Sequence, residues 1–191
     1  MPRWPEDSRE RLVNAAVALF SEQGFSHTTV EQIAAAAGVT PRTFFRHFRD
    51  KEEVLFSDDD RLLPLLLAAI AEPDPPLTAE SLMRHALGVL ADGLEPDRER
   101  LRQRHRIIQT DVALTGRELA KQAAWQPAIA ARIAERGFAA PDAELLAAMG
   151  FALFRAAFVG WLEDRRPATL RARVARAIPS ARTVLDARVQ D

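Results

Sequence analysis

The stretch from Thr28 to Phe48, TTVEQIAAAAGVTPRTFFRHF, decides how this chain folds. It reads as a short helix, a tight turn and a second short helix. Thr28 with Glu31, and Thr29 with Gln32, both fit a capping box, in which a hydroxyl and a carboxyl or amide three residues on satisfy each other's free backbone N–H groups. Ile33, Ala36 and Ala37 give a narrow apolar face, and the alanines let a crossing helix approach closely. Gly38 supplies the left-handed conformation that ends a helix. Thr40 can cap the next helix, and Pro41 fits its first position, where no N–H is needed. Val39, Phe44 and Phe48 fall at helical spacing toward a core. Arg42, Thr43, Arg46, His47 and Arg49 are left facing outward. A short helix with guanidinium and hydroxyl groups outside suits the DNA major groove.

Charge supports the same reading. The 191 residues carry 26 basic and 27 acidic side chains, a net charge of −1, so the molecule as a whole is no general polyanion binder. Nucleic-acid contact must come from a local patch, and residues 42–51 hold Arg42, Arg46, Arg49 and Lys51 against one acid, Asp50. There is no cysteine, which excludes disulfides, thiolate catalysis and cysteine-based zinc sites. The four histidines (27, 47, 85 and 105) lack metal-ligand spacing, and no metal or cofactor is expected. No HExxH, glycine-rich phosphate loop or nucleophile elbow is present, so an enzyme has little support. The start, MPRWPEDSRE, does not read as a signal peptide, and no stretch reads as long and apolar enough to span a membrane. A soluble cytoplasmic protein with no membrane partner is the expectation.

Helical periodicity runs through nearly the whole chain, and no alternating strand pattern stands out. An all-α protein of about nine helices is expected. Leu12, Ala15, Ala16, Leu19 and Phe20 form the buried stripe of the first helix, which Gly24 stops. A fourth helix should run from Lys51, capped by Asp50 and Glu53, to Ala71, with a kink or hinge at Pro64. Residues 72–76, EPDPP, read as a linker. A fifth helix covers 77–92, and Gly93 and Pro96 mark a break. The arginine-rich sixth, 97–109, reads as a solvated face. A seventh begins at Thr110 or Asp111 and should bend or split at Pro127. The eighth, 141–164, carries a strip of small residues, Ala148, Ala152, Ala156 and Gly160, beside a bulky one, Phe151, Phe154, Phe158 and Leu162. A ninth starts near Ala168 and is interrupted at Pro179.

At AAAAGVT, TFFRHF and the following Asp50-Lys51-Glu52-Glu53, the sequence resembles the TetR family of bacterial one-component regulators. The resemblance implies a helix-turn-helix DNA-binding domain at 6–52, its motif at about 29–48, and a helical ligand-binding and dimerisation domain at 53–191. It implies a ligand-responsive regulator, a repressor by the family's habit, bound as a homodimer to a near-palindromic double-stranded DNA operator. An architectural DNA binder without a ligand is the alternative. Thr28, Thr29, Thr40, Arg42, Thr43, Phe44, Phe45, Arg46, His47 and Lys51 are the expected DNA-binding residues. Arg42 is expected on a guanine edge, and His47 and Lys51 on phosphates. Where many members carry a phosphate-bonding tyrosine this chain has Phe45, and it has no tyrosine anywhere.

The second half resembles a narrower group, the regulators like that of the mycofactocin system, associated with acyl-CoA-like ligands. Arg106-Ile107-Ile108, Arg117-Glu118-Leu119, Trp125 and Arg155 within FALFRAAFVGWLE carry that likeness. A mostly apolar pocket for a small hydrophobic or acyl-CoA-like effector is expected, with His105, Ile108, Trp125, Phe151, Phe154, Arg155 and Phe158 as ligand-binding residues. Arg155, a charge among aromatics, needs either an ion pair with Glu144, Glu163 or the partner subunit, or an anionic ligand. Ala148, Ala152, Ala156 and Gly160 are the expected dimer interface, since the family's last two helices pair with those of the partner subunit.

Overall fold

The computed structural model describes residues 5–56, 61–72, 78–165 and 168–186. Ten α-helices are described: α1 (Pro5–Gln23), α2 (Val30–Ala36), α3 (Pro41–His47), α4 (Glu53–Phe56), α5 (Leu62–Ala71), α6 (Ala79–Leu94), α7 (Arg98–Gln109), α8 (Val112–Ala134), α9 (Ala140–Glu163) and α10 (Leu170–Asp186), with a 3-10 turn at Glu95–Asp97 between α6 and α7. Among the described residues there is no strand.

The helices form two compact units, Met1–Asp59 with Arg100–Leu119, and Asp60–Glu99 with Ala120–Asp191. This division departs from a boundary at 52/53, and the core explains why. Val54, Leu55 and Phe56 of α4, Ile107 and Ile108 of α7 and Leu114 of α8 are buried in one apolar cluster with Leu12, Ala16, Phe20, Ile33, Phe44 and Phe48. A cut after residue 52 would expose α4, and the three short helices of 6–52 would lose much of the apolar surface that offsets their ordering.

Several expected element details change. The helix expected over 51–71 is described as α4 and α5. Pro64 is the third residue of α5, in a first turn where no N–H has an intrahelical partner, so it is not the interior proline that would kink a helix. Residues 73–76 of the expected linker, and Leu77 at the expected start of the fifth helix, lie outside the described residues. Gly93 falls inside α6 and does not end it. Both α8 and α10 continue as single helices through Pro127 and Pro179. The start of α8 is capped by Asp111, whose Oδ1 accepts from the amides of Ala113 at 2.8 Å and Leu114 at 3.2 Å. Thr110 instead donates back to the Ile107 carbonyl at 2.7 Å.

In the second unit α6 packs against α5, α9 and α10, and α9 against α10. The arginine run of α7 begins there with a structural task and not as a solvated face. Arg98 donates to the carbonyls of Trp161 (2.8 Å), Leu162 (3.3 Å) and Asp164 (2.6 Å), closing the C-terminus of α9, and lies 5.4 Å from the Trp161 ring centroid. A cation suits that end of a helix, where carbonyls lack partners and the macrodipole is negative. Opposite it, the Glu95 carboxylate accepts from the Leu170 amide at 2.7 Å, at the positive end of α10.

One composition reading is corrected. The 24-residue α9 is long and apolar enough, by length and composition, to cross a membrane. In this fold it is a packed helix, with Ala143, Ala147, Gly150, Ala157, Trp161 and Leu162 buried.

Candidate nucleic-acid interface

The first unit presents α3 as its outward helix. Thr29 begins α2, its Oγ1 accepting from the Gln32 amide at 3.3 Å while the Gln32 Oε1 accepts from the Thr29 amide at 2.9 Å. Of the two capping boxes the sequence allows, this one forms. Thr28 is 1% exposed and points inward. Its hydroxyl donates to the Gly24 carbonyl at 2.9 Å and accepts from Gln23 Nε2 at 3.1 Å. Thr28 is therefore removed from the expected DNA-contacting side chains. Gly38 takes φ +67° and turns the chain between α2 and α3. Thr40 caps α3 through the Thr43 amide at 3.2 Å, and the two hydroxyls lie 3.1 Å apart.

Along α3 the faces separate cleanly. Phe44 is 0% exposed and belongs to the core, so it too leaves the expected DNA-contacting set. Arg42, Phe45, Arg46 and Arg49 are exposed, and Thr43 and His47 are half-buried. Positions 42, 45 and 46 stand at i, i+3 and i+4 on one face of α3, and Arg49 lies beyond the helix, after Phe48, whose backbone is extended. Phe45 is 56% exposed and meets Phe44 edge-on, with ring centroids 5.5 Å apart at 82°.

Lys51, expected on a phosphate, is committed inside the unit. Its Nζ donates to the Phe25 carbonyl at 2.8 Å and the Thr28 carbonyl at 3.0 Å, 4.3 Å from the Phe25 ring centroid. It ties the loop between α1 and α2 to the start of α4. Asp50, the one acid of the patch, caps α4 by accepting from the Glu53 amide at 2.7 Å. Arg117 neutralises it, with Nη1 3.0 Å from Asp50 Oδ2 and 2.6 Å from Glu52 Oε2. Burial opposes the charge on Arg117, but the hydrogen bonds and charges of Glu52 and Asp50 outweigh it and raise its pKa. Neither acid of this pair is left uncompensated behind the cationic stripe.

His47 contacts Ser8 of α1, Oγ to Nε2 3.0 Å. Burial first, then the charges of Arg46 and Arg9, push its pKa below the usual imidazole value of 6.5. The unfolded chain therefore takes up this proton at a higher pH than the folded one does. The contribution is complete above about pH 6.5 and is lost as pH falls through the lower, folded value. His47→Gln is expected to flatten the fall of the thermal midpoint below pH 6.5. Parallel wild-type and variant curves would sink this assignment.

Comparison with known proteins decides what this unit belongs to. Residues 12–57 match the model for bacterial regulatory proteins of the tetR family, and residues 77–186 match that for the MftR C-terminal domain. The chain belongs to the TetR family. TcmR of Streptomyces glaucescens, an HTH-type transcriptional regulator, is 43% identical over 90 residues, 45% of this chain and 40% of that protein, so the match spans less than half of TcmR. MftR of Mycobacterium tuberculosis, named for regulation of mycofactocin biosynthesis, is 28% identical over 158 residues, 80% of this chain and 79% of that one. The structure of the regulator FadR from Bacillus subtilis in complex with stearoyl-CoA shares the fold, with a TM-score of 0.63 and 18% identity over 89% of this chain and 95% of that one. This TetR-family protein is a DNA-binding transcriptional regulator and not an enzyme.

The expected effector residues of this regulator divide between its units. Ile108 is 0% exposed in the core of the first unit and is corrected to a packing residue. His105, half-buried, lies in the same unit. Trp125, Phe151, Phe154 and Phe158 are half-buried in the second unit. Phe154 and Phe158 stack at 5.9 Å, and Phe158 leads at 6.0 Å to Trp161, which is fully buried and whose Nε1 has no partner among the described residues. Trp161 is the residue the sequence reading missed. Arg155 is exposed, not enclosed by aromatics; it falls on the stripe of exposed Leu145, Ala148, Met149, Ala152 and Ala156. Gly160 leaves the expected dimer set, because a Cβ there would stand 3.1 Å from Arg173 of α10 in the same chain.

Proposed function

We propose that this regulator is a ligand-released repressor that binds a near-palindromic operator as a homodimer, with α3 in the major groove of each half-site. The observation that carries this reading is the exposed face Arg42–Phe45–Arg46 of a helix anchored by Phe44 and Phe48, with exposed Arg49 just beyond its end, in a chain of net charge −1. Thr40 and Thr43 stand at the start of that helix, and Thr29 at the start of α2. Arg42, near the helix start, is placed to read a guanine by a bidentate contact, and Arg46 and Arg49 to meet phosphates. Dimerisation is assigned to the exposed α9 stripe through Ala148, Ala152 and Ala156, where Leu145 at 59% and Met149 at 36% exposure leave apolar surface uncovered in the single chain. Two half-sites roughly 34–36 Å apart, or a small multiple, follow from two-fold symmetry.

The effector is assigned to the second unit, to the aromatic run Phe151, Phe154, Phe158 and Trp161 with Trp125. A buried indole N–H without a partner is uncommon, because losing its water without a replacement bond costs about 1–3 kcal/mol. It suits a mostly apolar ligand with one acceptor, such as a fatty acyl thioester, and the stearoyl-CoA complex of the similar FadR supports that class.

Selection of bound duplexes from a random pool tests the DNA reading. An inverted repeat is expected, with affinity falling steeply as salt rises and Arg42→Ala weakening it by about 1–3 kcal/mol. Recovery of no preferred sequence would refute an operator-specific regulator. Titrating the complex with acyl-CoAs of graded chain length should release the DNA, with the effect rising with length.

A further inference from the structure

Phe45 is the only exposed phenylalanine or tryptophan among the described residues, and it stands between Arg42 and Arg46 on the exposed face of α3. Arg42 precedes it by three positions and Arg46 follows it directly, so exposed cations stand beside the ring on the same helix. Its neighbour Phe44 holds the ring edge-on at 5.5 Å, which limits its freedom without covering it. An apolar group so placed gains nothing from water and cannot hydrogen-bond a phosphate. In the major groove the one apolar feature displayed by a base edge is the 5-methyl of thymine. A rigid phenyl ring between groups that reach bases and phosphates is suited to close on that methyl and exclude water from it.

We propose that Phe45 is a specificity-determining residue that reads a thymine methyl in each operator half-site, in place of the phosphate contact a tyrosine would make there. This rests on the reading that α3 enters the major groove. It assigns the base, a thymine, and the chemical group on it, and predicts that the contact is apolar and independent of salt.

The test uses the full-length protein and the operator recovered by selection, with each thymine replaced in turn by deoxyuridine in both half-sites. The replacement removes the methyl and leaves Watson–Crick pairing intact. At one or two positions wild-type affinity is expected to fall by about three- to fivefold per half-site, the worth of one buried methyl. At those positions Phe45→Ala should show no further loss on going from thymine to deoxyuridine, and its salt slope should match that of the wild type. Phe45→Tyr should bind no tighter than the wild type. The proposal is overturned if no deoxyuridine weakens binding, if the methyl effect persists in Phe45→Ala, or if Phe45→Tyr gains affinity, which would place the ring at a phosphate. Failure of the wild-type protein to select any DNA would instead refute the groove assignment on which the proposal rests.

Discussion

Alanine at Phe44 is expected to destabilise the DNA-binding unit strongly, whereas alanine at its neighbour Phe45 is expected to leave its stability almost unchanged. Phe44 is 0% exposed and packs 5.4 Å from Phe48 at ring centroids. It lies in the cluster that joins α1, α2, α4, α7 and α8. Truncating a buried phenylalanine costs about 3–5 kcal/mol, from lost transfer energy and the cavity left behind. Small domains hold only about 5–15 kcal/mol in all, and a unit with so short a set of helices belongs to the lower part of that range. A fall in thermal midpoint of more than about 10 °C, followed by circular dichroism at 222 nm, is the expected outcome for Phe44→Ala. Phe45 is 56% exposed, and its removal should shift stability by no more than about 0.5 kcal/mol. The two variants thus separate folding from recognition on adjacent residues of one helix. A Phe44→Ala that keeps the wild-type midpoint, or a Phe45→Ala that melts early, would mean that the phase of α3 is assigned wrongly.

That phase was legible in the sequence because its signals are local. The threonine caps, Gly38 and the spacing of Val39, Phe44 and Phe48 all act within a few residues, and each is found where expected. What lay beyond local signals was less legible. Thr28 and Thr29 both fit a capping box, and the choice between them is made by Gly24 and Gln23, which receive the Thr28 side chain. Lys51 looks like a phosphate contact because it stands at a helix N-terminus, which attracts phosphate. Only the folded chain brings the Phe25 and Thr28 carbonyls to it. Ile108 joins a core built mainly from residues more than fifty positions away, and an amphipathic pattern cannot say which core a helix serves. Arg155 lies outside the aromatic run for a related reason. The periodicity of α9 gives the angular spacing of its side chains, but not which arc its neighbours α6 and α10 cover. A rotation of that arc moves Arg155 from an aromatic enclosure to the exposed stripe of Ala148 and Ala152.

The arginines of 98–117 show how far the same charge can differ in worth, and Arg104→Met is expected to destabilise the DNA-binding unit far more than Arg117→Met. Arg104 Nη1 lies 3.4 Å from Glu118 Oε1, with side chains only 15% and 17% exposed. Its Nε also donates to the Leu55 carbonyl, and its guanidinium sits 5.0 Å from the Phe56 ring centroid. Methionine would fill much of the volume but leave Glu118 and that carbonyl short of a donor. Removing one member of a buried pair costs about 3–5 kcal/mol, reduced here to about 2–4 because some water still reaches both groups. Arg117 holds two carboxylates, but the three side chains are 34%, 47% and 35% exposed. Solvent screens that network, so its loss should amount to about 1 kcal/mol or less. Two further measurements separate the cases. Raising salt from 0.1 to 1 M should shrink the Arg117→Met effect and leave most of the Arg104→Met effect, because buried pairs are screened little. Adding Glu118→Gln to Arg104→Met should recover part of the loss, since it removes the stranded charge. Equal midpoints for the two single variants, or no recovery in the double variant, would show that the buried charge on Glu118 is not what Arg104 supports. The expected ordering also bears on regulation: α4 follows α3 in the chain, and Arg104 of α7 grips the α4 backbone at Leu55.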